Sequence, residues 1–196
     1  MLVLKFGGTS LGNARRFAKA ADTVRRLVSY HPLVVVSAIG GVTSRIEAAA
    51  HAAARGDVLL NEVLTPQHTL IRELGLATSD FYDLYEGLRA SLERIATEGR
   101  VTAANLDHAY QWGELTSART LAGLLRRKGT FAKDWDAAEA GFVTDNCHGT
   151  ARPLTDAAAV ARKWWKSKGA HLPVVTGFIG RDREGSRTTT GKGGSD

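Results

Sequence analysis

Three times in this chain a short apolar run leads to a glycine-rich loop. Leu2-Val3-Leu4-Lys5-Phe6 enters Gly7-Gly8. Leu33-Val34-Val35-Val36 enters Ser37-Ala38-Ile39-Gly40-Gly41. The run Pro173–Gly180 precedes a threonine stretch that ends in Gly191 to Gly194. Apolar runs without polar alternation read as strands covered on both faces, the mark of a parallel sheet. Parallel neighbours need a crossover segment between them. Helical spacing supplies it: Asn13 caps a helix to about Val28, with Phe17, Ala20, Ala21, Val24, Leu27 and Val28 on one face. An alanine-rich helix runs from Thr43 to about Ala54. Val58 to Arg127 reads as mostly helical, broken at Gly75 and Gly99, with Phe81, Leu84, Leu88, Leu92 and Ile95 as a core stripe. Strand character returns at Thr130–Trp135 and at Phe142-Val143-Thr144, and a helix is expected over Thr155–Ser167. The expected fold class is therefore α/β, a largely parallel sheet sandwiched by helices, in one domain over residues 1–196.

In open sheets of this kind ligands bind beyond the carboxyl ends of the strands, so the three loops converge if their strands are neighbours. The first loop suits phosphate. Lys5 brings a fixed charge, Gly7 and Gly8 let backbone N–H groups approach a ligand, and the hydroxyls of Thr9 and Ser10 lead into a helix start. The standard nucleotide motifs are absent. Five residues separate Gly185 from Gly191, and Gly193 follows Lys192 where a P-loop has a hydroxyl. No G-x-G-x-x-G follows a strand. The six histidines have no metal-ligand spacing, so no metal site is expected, and no Ser-His-Asp order stands out.

The net charge of +6 fits an anionic ligand. The longest basic run, Arg126-Arg127-Lys128, falls at a helix end and complements its dipole, so a nucleic-acid partner is not expected. A single cysteine, Cys147, suits a reducing compartment. No leader precedes the first strand and no apolar stretch is long enough to span a bilayer, so a cytoplasmic protein without a membrane partner is expected. Read without further context, Thr43 is a helix N-cap and Glu114 a solvated helix residue. Asp134 and Asp136, flanking Trp135, read as solvated acids with no role.

Five segments together resemble the aspartate kinases of the amino-acid kinase superfamily. They are Lys5-Phe-Gly-Gly-Thr-Ser10, Val35-Val-Ser-Ala38 with Gly41-Val-Thr43, Gly113-Glu114-Leu115, Gly177-Phe-Ile-Gly180, and Thr188-Thr-Thr190 through Gly191-Lys-Gly-Gly-Ser-Asp196. They occur in family order and span the chain. The resemblance implies ATP-dependent phosphorylation of the β-carboxylate of L-aspartate, with Mg²⁺ and ATP. This is the first step toward lysine, threonine and methionine. It implies that Lys5 meets the transferring phosphoryl group, that Gly7, Gly8, Thr9 and Ser10 line the phosphate path, and that Asp196 organises the reacting groups. Thr43, Glu114, Lys192, Gly193 and Ser195 then bind the substrate, with Glu114 pairing the ammonium.

Lys192 stands where the family usually has arginine; it keeps the charge and loses the bidentate fork. The family's leucine after the threonine run is absent, and Ser186-Arg187 adds a residue upstream. The expectation is an aspartate-binding lobe without the nucleotide-binding lobe, inactive alone, from a protein that as a whole could be a homo-oligomer. The alternatives are a kinase for acetylglutamate, glutamate or carbamate, and a non-catalytic binding module of the same fold.

Overall fold

The computed structural model describes residues 2–191. Four strands form a parallel sheet in the order β1-β2-β4-β3: β1 (Val3–Phe6), β2 (Leu33–Val36), β3 (Ala132–Trp135) and β4 (Leu172–Thr176). The register pairs Lys5 with Val35, Val35 with Val175, and Trp135 with Val175. All of β4 is buried, as an apolar inner strand between two parallel neighbours should be. Between β1 and β2 lies α1 (Ala14–Arg26). The Asn13 side chain caps it by accepting the Arg16 N–H at 3.0 Å. Between β2 and β3 lie α2 (Val42–Ala53), α3 (Leu60–Glu73), α4 (Tyr82–Glu98) and the long α5 (Ala103–Arg127); α6 (Ala157–Ser167) lies between β3 and β4.

The main core fills one sheet face. Phe17, Ile46, Leu88, Leu92, Leu121 and Leu125 are fully enclosed there with Val34, Val36 and Val174. Alternate strand residues (Leu33, Trp135, Val175) meet Trp164 of α6 on the opposite face. Helices thus cover both faces, as the apolar runs predict. The stripe Phe81, Leu84, Leu88, Leu92 and Ile95 is buried throughout, and Gly75 and Gly99 end their helices with positive φ.

The carboxyl half departs from the expected pattern in three places. The run 173–180 is two strands, not one. Phe178 takes φ +63°, the left-handed region, and turns the chain out of the parallel sheet. β5 (Ile179–Arg181) then pairs antiparallel with β6 (Arg187–Thr189), so Thr188 and Thr189 of the threonine stretch are in a strand. The turn between them is organised by Asp182, whose Oδ1 accepts the N–H groups of Glu184 and Ser186 at 3.0 and 2.8 Å. The expected strand at 142–144 reduces to two isolated bridges, Val143 with Arg181 and Thr144 with Pro153.

Candidate functional site

The carboxyl ends of β1, β2 and β4 lie side by side, joined by Ser37 N–H to Phe6 O at 3.0 Å and Gly177 N–H to Val36 O at 2.7 Å. Their loops enclose one crevice of about 460 Å³. Lys5, Gly8, Gly40, Gly41, Thr43 and Glu114 line it, with Asp107, Tyr110, Phe178, Thr189 and Gly191. The first two glycine loops converge there, and Gly191, the described residue of the third, joins them from the end of β6. The first two touch at backbone level: a Cβ on Gly40 would sit 2.9 Å from the Gly8 carbonyl oxygen. Only glycine allows that approach.

Thr43 lies in the first turn of α2, but it is not the N-cap. Gly41, at φ +83°, holds that position without a side-chain cap. Glu114 lies on α5 and is 3 % exposed, not solvated. The helix can pack this closely on α2 because Gly113 has no side chain; a Cβ there would lie 3.0 Å from Val42 Cγ1 and 3.1 Å from Ile46 Cδ1. Burial pushes the Glu114 carboxyl up to about 8, against the Ala38 N–H that it accepts and the nearby Lys5 charge. Its Oε2 atom is buried and has no hydrogen-bond partner. A buried, unpartnered carboxylate oxygen is costly to leave so, and a ligand cation would relieve it.

Other expected residues fall elsewhere. Gly7 precedes the short 3₁₀ turn at Gly8–Leu11, outside the crevice lining. Thr9 and Ser10 line a separate hollow of about 290 Å³ with Phe6, Arg16 and Lys19, and the Arg16 guanidinium donates to the Thr9 carbonyl at 2.6 Å. Their hydroxyls are thus not brought to the crevice that holds Lys5. Lys192, Gly193, Ser195 and Asp196 lie outside the described residues. Among the described residues no group of three His, Cys, Asp or Glu could hold a metal ion. No helix among them is long and apolar enough to cross a membrane.

Asp107, Tyr110, Phe178 and Thr189 are among the crevice residues to which the sequence reading assigned no role. Asp107 sits two turns before Glu114 on α5 and is 1 % exposed. Its carboxyl is raised by burial, opposed by hydrogen bonds from Thr189, Gly149 and His148. The i, i+7 spacing of the two acids on an otherwise core-facing helix was the available signal. Tyr110 packs edge-on against Phe178, ring centroids 5.8 Å apart, and Thr189 lies beside them in the lining. Asp134 and Asp136 also correct the expectation. Asp134 meets Arg119 and Arg126, and Asp136, 6 % exposed, pairs with Arg187 of β6.

An open parallel sheet whose strand ends bring glycine loops, a lysine and a buried carboxyl into one crevice defines an α/β protein with a candidate small-ligand site at those ends. The chain belongs to the amino acid kinase family, whose description matches residues 1–196. Aspartokinase 3, a chloroplastic protein of Arabidopsis thaliana, is 33 % identical over 206 residues, covering 99 % of this chain and 37 % of that protein. Aspartokinase 1 of the same plant is 31 % identical, with 99 % and 36 % covered. E. coli aspartokinase III, solved in complex with lysine and aspartate, superposes at a TM-score of 0.89 with 28 % identity, over 100 % of this chain and 44 % of that one. The same enzyme solved with aspartate and ADP gives 0.84. The chain thus spans less than half the length of these relatives.

Proposed function

We propose that the crevice is the acceptor half of an aspartate kinase, which transfers the γ-phosphoryl group of ATP to the β-carboxylate of L-aspartate. The observation that carries this reading is Glu114: a buried carboxyl with an unpartnered oxygen, facing a crevice that also presents Lys5. Aspartate offers an ammonium for the first and a carboxylate for the second. In the transfer, a β-carboxylate oxygen forms a bond to the γ-phosphorus while the bond from that phosphorus to the β,γ-bridging oxygen breaks. The products are 4-phospho-L-aspartate and ADP. Such a reaction asks the protein mainly for positioning and charge neutralisation. Lys5 supplies charge at the carboxyl end of β1, and the glycine loops allow backbone approach.

By family resemblance Lys192, Gly193, Ser195 and Asp196 complete the substrate side. Mg²⁺ would accompany the nucleotide, and no described residues form a cage for it. The reading places the reaction at the head of lysine, threonine and methionine synthesis, in the cytoplasm.

Calorimetric titration of the protein with L-aspartate, L-glutamate, N-acetyl-L-glutamate and carbamate tests the assignment. L-Aspartate is expected to bind best, and the two acids without a free ammonium are expected to bind worst. Tighter binding of N-acetylglutamate or carbamate refutes it. For the complete enzyme, hydroxylamine trapping of the acyl phosphate reads the reaction itself.

A further inference from the structure

The strand β6 has only three residues, and each is tied to a different part of the molecule. Arg187 pairs with Asp136 beyond β3. The Thr188 hydroxyl meets the Thr144 hydroxyl at 2.7 Å. The Thr189 hydroxyl donates to Oδ1 of Asp107 on α5. The other oxygen of Asp107 accepts the Gly149 N–H at 3.0 Å and meets Nδ1 of His148 at 3.0 Å. The Ala151 N–H returns to the Thr189 carbonyl at 2.8 Å, and a Cβ on Gly191 would lie 3.2 Å from the Gly149 carbonyl oxygen. One carboxylate therefore joins α5, the 147–151 loop and the end of β6. Gly149 and Gly191 both belong to the crevice wall.

Asp107 and Glu114 ride on the same helix, seven residues and about 10 Å of rise apart. Where Asp107 holds β6 therefore bears on the spacing between the Glu114 wall and the Gly191 wall. Both oxygens of Asp107 are engaged within the protein, and the residue is 1 % exposed. We infer that Asp107 is a positioning residue of this crevice. By clamping Thr189 and Gly149 it registers the 189–191 segment against Glu114, and so sets affinity for the acceptor acid. The inference rests on the aspartate reading only through its affinity readout.

The test compares Asp107→Ala, Asp107→Asn, Thr189→Val and Thr189→Ser. Aspartate affinity is read by calorimetry, and local order by hydrogen–deuterium exchange at the amides of residues 149 and 151. An asparagine at 107 can accept from Gly149 with its carbonyl and donate to the Thr189 hydroxyl with its amide, so it preserves the clamp. Asp107→Ala and Thr189→Val are each expected to weaken aspartate binding about tenfold or more and to speed exchange at both amides by a similar factor, because small misplacements of binding groups are costly. Asp107→Asn and Thr189→Ser are expected to stay within about threefold of the parent protein on both readouts. The Asp107→Ala/Thr189→Val pair is expected to cost little more than either single change, as for groups that act as a unit.

If Asp107→Asn loses as much as Asp107→Ala, the charge itself faces the ligand and the clamp is wrong. If Asp107→Ala lowers thermal stability without moving affinity or exchange at 149 and 151, the role is merely structural and the inference falls. Should Asp107→Ala fail to fold, Thr189→Val against Thr189→Ser decides the same point. A parent protein that does not bind aspartate would overturn the functional reading, while the exchange pattern would still decide the clamp.

Discussion

Replacing Glu114 by glutamine should stabilise the protein in a strongly pH-dependent way. The carboxyl titrates near 4.5 when exposed and is pushed to about 8 here, chiefly by burial. The unfolded chain therefore releases this proton several pH units earlier than the native one. A proton held more tightly in the folded state favours folding only while the unfolded state can also hold it. The contribution is thus most favourable below pH 4.5 and is lost as pH rises toward 8. At about 1.4 kcal/mol per pH unit, the loss is on the order of 3 kcal/mol by pH 7 and on the order of 5 kcal/mol above pH 8.

A glutamine at 114 keeps the acceptor for the Ala38 N–H and has no charge to desolvate, so its stability should lack this slope. Urea unfolding between pH 4.5 and 9, extrapolated linearly to water, reads both curves. The two proteins should be closest near pH 4.5, and the variant should be the more stable by several kcal/mol near pH 8. The same variant should bind aspartate about a hundredfold more weakly, because it cannot pair an ammonium in a dry site. Parallel stability curves across this range would show that Glu114 does not titrate as described, and the charge argument for the crevice would go with it.

Three further outcomes follow from the same geometry. Aspartate binding at pH 7 should release close to one proton, since an ammonium beside Glu114 favours its ionised form; calorimetry in two buffers of different ionisation enthalpy measures it, and zero release would contradict the pairing. Gly40→Ala would force a Cβ to within 2.9 Å of the Gly8 carbonyl, so the two loops must part, at about 1–3 kcal/mol of stability and a marked loss of aspartate affinity. A variant with unchanged affinity would show that the loop contact does not shape the site. Arg187→Met would leave Asp136 buried beside only the Ala138 N–H, lowering stability by about 3 kcal/mol, or roughly 6–12 °C in melting temperature, and Asp136→Asn should restore much of it. A shift below about 2 °C would mean that water reaches the pair.

Much of the amino half could be read directly. The β-branched run Leu33–Val36 is β2 residue for residue, and the Asn13 cap starts α1. Both depend on neighbours within a few positions, where spacing and side-chain chemistry settle the outcome. The run 173–180 misled because apolar character does not reveal a left-handed residue at Phe178, which is held by contacts from Tyr110 and from Thr190 N–H to its carbonyl. Thr9 and Ser10 follow the phosphate-like loop in sequence, yet the 3₁₀ turn carries them to another hollow.

By itself the sequence determined the parallel α/β architecture, the glycine loops at the strand ends and the position of Lys5, since local periodicity and backbone freedom act over a few residues. Only the tertiary structure decided the electrostatics. Whether Glu114 is solvated or raised to about 8, and whether Asp107 and Asp136 are idle or bound, depends on desolvation and on partners as far as 82 residues away in the chain. Those are properties of packing, and no spacing rule along the chain contains them.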